Sequence, residues 1–270
     1  MPTRTQIVCT IGPASKEPAV LDALIAHGMD VARLNFSHGT HDEHRVLIEN
    51  IRAAAQRAGR VIPIIQDLSG PRVQTGSEHH MDPNAVQVIT EKDLTDLDFG
   101  LSQWVEYVCL SFVGSAKDVN DLRAEIAKRN GGVPAEKGLP KVMAKVERKE
   151  ALENIEEIIT ASDAIMLGRG DLGQNIPLEQ VPFAEALVVH HCKEHRTPVI
   201  VATEMLKSMV ENPEPTRAEI TDIAYAIILG ADAVMLSEET ARGKYPVEAV
   251  TYMERVCTEA EKYERDVNAL

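Results

Sequence analysis

Aromatic residues are scarce: Phe, Trp and Tyr make up 4% of the 270 positions, with a single tryptophan. A core short of rings has to be packed from Val, Ile, Leu, Ala and Met. That is the material of a buried parallel sheet wrapped in helices, and it disfavours all-β architectures. Positive charge is also short, with 28 Lys and Arg against 42 Asp and Glu and a formal net charge of −14. No extended basic surface can be built from this balance, so neither nucleic acid nor an anionic membrane is an expected partner. Anionic small ligands stay open, provided cations are gathered locally. The cysteines Cys9, Cys109, Cys192 and Cys257 are scattered without metal-ligand spacing, three of them in apolar runs. They read as buried thiols of a reducing compartment and not as a disulfide framework. The opening "MPTRTQIVCTIGP" lacks a secretory apolar core, and no apolar run approaches membrane length. The expectation is a soluble, cytoplasmic protein.

What the chain does have is rhythm. Eight short apolar runs recur as strand candidates: "TQIVCTIG", "DVARLNFS", "RVIPIIQDL", "YVCLSFV", "KVMAKVE", "AIMLGRG", "TPVIVATEM" and "AVMLSEE". Between them lie longer stretches with helical spacing of apolar residues, such as "HDEHRVLIENIRAAAQRAG" and "PVEAVTYMERVCTEAEKYE". Gly28, Gly59 and Gly230 close three of these stretches, as left-handed C-caps do. Eight strand and helix pairs predict an α/β chain folded as one (β/α)₈ barrel over residues 1–270, with right-handed crossovers. A doubly wound open sheet is the alternative, but its dinucleotide fingerprint is missing from the first strand–helix turn, "CTIGPASKEPA". Residues 76–90, after the third strand, break the rhythm and read as a short loop.

Barrels of this kind place chemistry at the C-terminal ends of their strands. There the sequence puts Arg33, Asn35 and Ser37, then Asp67 and Ser69, Lys145 and Glu147, Arg169 and Asp171, Thr203 and Glu204, and finally Ser237, Glu238 and Glu239. Lys145 and Glu147 are two apart on one strand, so both face the lumen. Glu147 and Asp171 read as two carboxylates for Mg²⁺, a hard cation content with one or two protein carboxylates, with Lys145 as a compact charge beside them. A plain ion pair at the rim is the bland reading, and a plain turn is the bland reading of "GRGDLG". The glycines of that motif suit close backbone approach to an anionic ligand. The histidines of "HDEH" and "HHCKEH" lie on amphipathic helices away from the rim and read as solvated helix faces.

At this point the motifs are similar to the pyruvate kinase family over nearly the whole chain. "QIVCTIGPAS", "MDVARLNFSHG", "DLSGP", "TEKD", "AKVE", "GRGDLG", "PVIVATEML", "PTRAEITDIA" and "VMLSEETARGKYPVEAV" follow in the family's order. The resemblance implies phosphoryl transfer from phosphoenolpyruvate to ADP, giving pyruvate and ATP, with Mg²⁺ (or Mn²⁺) and K⁺ as cofactors. It makes Glu147 and Asp171 the Mg²⁺ ligands, and Asn35, Ser37, Asp67 and the Leu68 carbonyl the K⁺ ligands. It makes Lys145 the lysine that stabilises the phosphoryl group in flight, Arg33 a phosphate-binding arginine and Thr203 the residue near the enolate carbon. Gly170 and Asp171 would receive the substrate carboxylate on their amides, and Ser237 joins them as a substrate contact. Assembly of copies through the barrel is also implied, although helix faces alone do not decide it.

The departures carry weight too. The family inserts a mobile lid domain where this chain has only the loop at 76–90, which removes part of the nucleotide site. A second phosphate-binding arginine of the family aligns with Gln74. Glu204 stands where glutamine is usual, and Glu238 where glycine is usual. The C-terminal regulatory domain would follow "EKYERD", so effector control through it is not expected in this chain. Three readings stay open: a pyruvate-kinase-type enzyme with impaired turnover, a Mg²⁺-dependent 2-oxo acid lyase or decarboxylase on the same enolpyruvate site, and a non-catalytic barrel.

Overall fold

The computed structural model describes residues 3–75, 78–82, 84–129 and 138–268. Eight parallel strands close into a barrel: β1 (Gln6–Thr10), β2 (Met29–Asn35), β3 (Ile64–Asp67), β6 (Tyr107–Leu110), β7 (Lys141–Val146), β8 (Ala164–Gly168), β9 (Val199–Ala202) and β10 (Ala233–Leu236). Each pairs with its chain neighbour in this set, and β1 pairs with β10 to shut the ring. Around them run α1 (Pro18–Ala26), α2 (His41–Ala58), α3 (Glu91–Ser102), α4 (Ala116–Lys128), α5 (Lys149–Glu153), α6 (Ile155–Ala161), α7 (Arg169–Asn175), α8 (Val181–His195), α9 (Arg217–Leu229), α10 (Glu238–Ala241) and α11 (Pro246–Asn268). The expected (β/α)₈ barrel is the fold.

The strands are apolar on both faces because both are buried, and their alternation sorts residues into two layers. Odd positions such as Ile7, Cys9, Val199 and Val201, and even ones such as Ala32, Leu34, Val142 and Ala144, pack outward against the helices. Val8, Val31, Ile65, Cys109, Met143, Met166, Ile200 and Met235 fill the lumen as a plug. Two residues further along each strand comes the top of the lumen: Thr10, Arg33, Asp67, Ser111, Lys145, Gly168, Ala202 and Ser237. Charge is thus concentrated on β2, β3 and β7, while β8 and β9 carry nothing larger than a methyl at that height.

Helix starts follow local chemistry. Thr40, Thr90 and Thr216 each accept the amide of the third helical residue, while Glu43, Asp93 and Glu219 reach back to the cap's own amide. Gly59 and Gly230 end α2 and α9 in the left-handed region. Three local expectations are corrected. The stretch "KEALENIEEIITAS" breaks at Asn154 into α5 and α6. "GRGDLG" is not a free turn but the start of α7. Within 76–90, expected as a loop, lies the second strand of an antiparallel hairpin, β4 (Arg72–Thr75) with β5 (Glu78–Met81), pairing Arg72 with Met81 and Thr75 with Glu78. Its strands are short and polar, without the alternation that marks a half-buried strand in a sequence. Among the described residues, no helix is long and apolar enough to cross a membrane.

Closure of the ring also depends on a tight seam between its first and last units. A Cβ placed at Gly12, just beyond β1, would lie 2.7 Å from the Ala241 carbonyl oxygen in α10. Backbone, not a flexible side chain, would have to move. Gly12→Ala is expected to cost about 1–3 kcal/mol through overpacking. The measurement is urea or thermal denaturation; unchanged stability would show that the seam is slack.

Candidate active site

Asp67 ends β3 at the top of the lumen with no solvent exposure. Arg33 on β2 grips its Oδ2 through Nε at 2.7 Å and Nη2 at 2.6 Å, and spends Nη1 on Thr10 Oγ1 at 3.0 Å. Lys145 Nζ lies 2.8 Å from Asp67 Oδ1 and 3.1 Å from Oδ2. Burial alone would push the Asp67 carboxyl upward, but the Lys145 and Arg33 charges outweigh it and hold the group below its usual range. Burial likewise opposes the Lys145 ammonium, yet Asp67 and then Glu147 raise its pKa, so it stays charged.

Glu147 follows Lys145 on the same face, as the two-residue spacing predicts, and is 2% exposed. Its Oε1 lies 3.4 Å from Lys145 Nζ, and its Oε2 accepts the Phe112 amide at 3.0 Å. Phe112 delivers that amide from a left-handed backbone, φ +57°. Gly168 makes room: a Cβ there would meet Glu147 Cγ at 2.9 Å. Burial pushes the Glu147 carboxyl up to about 7; Lys145 resists this, while the nearby Asp171 and Asp67 charges reinforce it.

Asp171 sits in the first turn of α7, with its side chain 25% exposed. Arg169 does not join it in the mouth. Its guanidinium turns into the helix layer, with Nη1 at 3.0 Å from Glu185 and 2.7 Å from Asp222, and Nη2 at 2.8 Å from the Thr203 carbonyl oxygen. It thereby ties α7, α8 and α9 to the turn after β9, where Thr203 and Glu204 both adopt positive φ, +72° and +60°. Thr203 Oγ1 accepts the Gly170 amide at 2.8 Å. That amide, expected to face a substrate carboxylate, is therefore engaged. Asn175 donates to the Glu147 and Asp171 carbonyl oxygens at 3.1 and 2.8 Å, fixing α7 against the end of β7.

The other expected positions divide. The Asn35 Oδ1 accepts the Ser37 amide at 3.1 Å, Ser37 Oγ donates to Ser69 Oγ at 3.3 Å, and the Leu68 carbonyl oxygen accepts Ser111 Oγ at 2.6 Å. Ser237 Oγ is buried without a hydrogen-bond partner among the described residues. Glu204 pairs with Lys207 and Glu238 with Arg242, so neither adds an uncompensated charge. Glu239 is buried and accepts the Leu206 and Ser237 amides, which makes it a fastener of the rim. The Gln74 side chain lies outside the described residues. The "HDEH" histidines are not simply solvated: His44 is buried, stacked on Phe36 with ring centroids 4.0 Å apart, and His41 meets Asp96 at 2.7 Å. His191 and His195 lie along an open cleft of about 920 Å³ on the barrel's flank, away from the mouth. Among the described residues no three His, Cys, Asp or Glu side chains cluster to hold a metal.

One mouth residue was not anticipated. Arg72 Nη2 lies 3.9 Å from Asp171 Oδ2, and its guanidinium stacks over the Phe112 ring, 5.3 Å from the centroid. The sequence signal was the arginine two positions before Gln74 in "GPRVQ", on the same face of a strand that had been read only as the approach to a loop.

The fold is a (β/α)₈ barrel whose mouth gathers a buried lysine and arginine with carboxylates at the C-terminal ends of the strands, where barrels of this class carry their functional residues. The family profile described as "Pyruvate kinase, barrel domain" matches residues 2–88 and 83–250, and the chain belongs to that family. It is 35% identical to a pyruvate kinase of Sporosarcina psychrophila over 96% of this chain and 57% of that protein. Pyruvate kinases of Dictyostelium discoideum (34% identical) and Mycobacterium tuberculosis (35%) are each matched over 97% of this chain, and over 67% and 71% of their own lengths. The chain thus spans little more than half of the first relative. The alignments run over 340, 346 and 342 positions against a chain of 270 residues, so these relatives carry stretches with no counterpart here. The two profile matches meet at residues 83–88, just past β5.

Glu147 also sets a pH signature. Its carboxyl titrates near the ordinary glutamate value of 4.5 when unfolded and at about 7 when folded, so the folded protein binds more protons in between. Stability from this group is therefore present at low pH and lost as pH rises from about 4.5 to 7, by on the order of 3 kcal/mol. In EDTA, Glu147→Gln is expected to be more stable than the parent at pH 8, with the advantage shrinking toward pH 5. Denaturation at the two pH values tests this; an equal difference at both would show that Glu147 does not titrate in this range.

Proposed function

We propose that the mouth binds phosphoenolpyruvate and pyruvate with Mg²⁺ (or Mn²⁺) held by Glu147 and Asp171, and that it interconverts enolpyruvate and pyruvate. Phosphoryl transfer to ADP would be slow or absent in this chain. The observation that carries the reading is the buried Glu147 carboxylate beside Lys145, with the partly exposed Asp171 near enough to act on it electrostatically. With its pKa pushed up to about 7, Glu147 belongs to a carboxylate pair short of a cation, and the all-oxygen, two-carboxylate donor set suits Mg²⁺. When bound, the metal would polarise the enolate oxygen and neutralise charge on the phosphoryl group.

The chain's own residues do the rest. Lys145, held charged by Asp67, presents a fixed cation to the phosphoryl group of bound phosphoenolpyruvate. Arg33 supports Lys145 from the far side of Asp67 and offers a second cation. The Thr203 hydroxyl accepts the Gly170 amide, which leaves its own proton to be passed toward the enolate carbon. For the carboxylate to use the Gly170 amide, that bond must open. Ser237 Oγ, buried without a partner, is a further donor for substrate.

The K⁺ set fits less well. Both Asp67 oxygens already face cations, and Asn35 Oδ1 and the Leu68 carbonyl oxygen are in use. Where the family resemblance expects a lid domain, the hairpin β4–β5 supports the reading that the lid is missing and the nucleotide site is incomplete. The same hairpin favours a second reading, a Mg²⁺-dependent 2-oxo acid lyase or decarboxylase, chemistry that needs no nucleotide.

Exchange of pyruvate methyl protons with D₂O, followed by NMR, is expected to require Mg²⁺, while a coupled assay with phosphoenolpyruvate and ADP shows turnover far below about 10 s⁻¹. Normal turnover would overturn the nucleotide-site reading, and no exchange by folded protein would overturn the enolate reading. Glu147→Gln and Asp171→Asn are each expected to abolish Mg²⁺-dependent oxalate binding; unchanged titrations would remove the assigned metal site.

A further inference from the structure

We propose that Arg72, at the start of the β4–β5 hairpin, is a phosphate-binding residue of the substrate site, supplied by the strand that leads into the stretch where the lid is missing. The inference rests on the enolpyruvate reading above.

Arg72 is a guanidinium in search of an anion. Its side chain is 13% exposed, and its Nε is buried with no hydrogen-bond partner among the described residues. The Asp171 carboxylate at 3.9 Å is beyond hydrogen-bond distance. A largely buried cation without a close acceptor is costly unless a ligand completes it. The side chain is also held in place. Its guanidinium carbon lies over the ring of Phe112, the residue whose amide donates to Glu147. Across the hairpin its partner is Met81, whose sulfur lies 2.9 Å from Arg148 Nη1. Beside it a cleft of about 480 Å³, lined by Ser69, Gly70, Arg72, Thr90 and Lys92 among others, opens outward.

Charge balance gives the ligand its sign. Asp67 is consumed by Arg33 and Lys145. Glu147 and Asp171 remain, and a divalent cation between them would take up both charges. Arg72 would then lose the one ion-pair partner it has among the described residues and stand as an uncompensated cation next to the metal. A phosphoryl group restores the balance, and the planar fork of arginine matches its oxygens. Oxalate or pyruvate, which lack that group, gain much less.

The test compares wild type, Arg72→Gln and Arg72→Lys by calorimetric titration with phosphoenolpyruvate and with oxalate, each in Mg²⁺. Arg72→Gln is expected to lower the ratio of affinities, phosphoenolpyruvate over oxalate, at least tenfold, with Arg72→Lys in between. Equal weakening of both ligands, or no change in either, would overturn the assignment, since a structural or metal-level role moves both together. If Arg72→Gln does not fold, Arg72→Lys decides alone, because it keeps the charge and loses the fork: a selective loss of about threefold or more supports the inference and an equal loss overturns it. Wild-type protein that binds neither ligand would instead overturn the enolpyruvate reading, and the inference with it.

Discussion

The bracket of Arg33 and Lys145 around Asp67 is the constraint on which the rest of the mouth depends. A carboxylate with no solvent exposure at the top of an apolar lumen can remain ionised only if cations sit on it. Two do, from strands on either side of β3's position in the ring. Lys145 is thereby fixed as a charged group, and its fixed position gives Glu147, two residues on, a defined electrostatic environment. Neutralising Asp67 would leave two cations facing each other in a closed space, and neutralising either cation would halve the compensation of the buried carboxylate.

Above this bracket the balance of charge tips. Burial, first of all, holds the proton on Glu147, and the nearby Asp171 and Asp67 charges add to it against Lys145, with Arg72 at arm's length from Asp171. The neutral lumen below and the small residues Gly168 and Ala202 alongside leave the opening over β8 and β9 free for a small anionic ligand. The left-handed turns at Phe112 and at Thr203 and Glu204 bring a backbone amide and a hydroxyl to the same opening, so backbone strain is concentrated where chemistry is expected.

Much of this was legible in the residues alone. The eight apolar runs specified eight strands because parallel strands are buried on both faces and need no polar alternation. The parity of Lys145 and Glu147 specified that they share a face, and their position at a strand's end specified which end of the barrel. What escaped were elements whose residues carry no periodic signal. The strands "RVQT" and "EHHM" look like loop, and a helix that starts on Gly–Arg–Gly looks like a turn. Arg169 was read as a rim residue because its spacing is that of Asp171, yet α7 rotates the two by more than half a turn of a helix, and only Asp171 remains in the mouth.

The sequence by itself determined the architecture, the open end and the identity of most candidate residues, since hydrophobic period and position along a strand are local properties that a chain carries with it. Tertiary structure alone decided how the charges are shared. That Asp67 belongs to Arg33 and Lys145, that Arg169 answers to Glu185 and Asp222, and that Arg72 meets Asp171 only at 3.9 Å and has no closer acceptor among the described residues all depend on distances between segments far apart in the chain. Electrostatic energy falls with those distances and with local burial, and neither quantity exists until the barrel has closed.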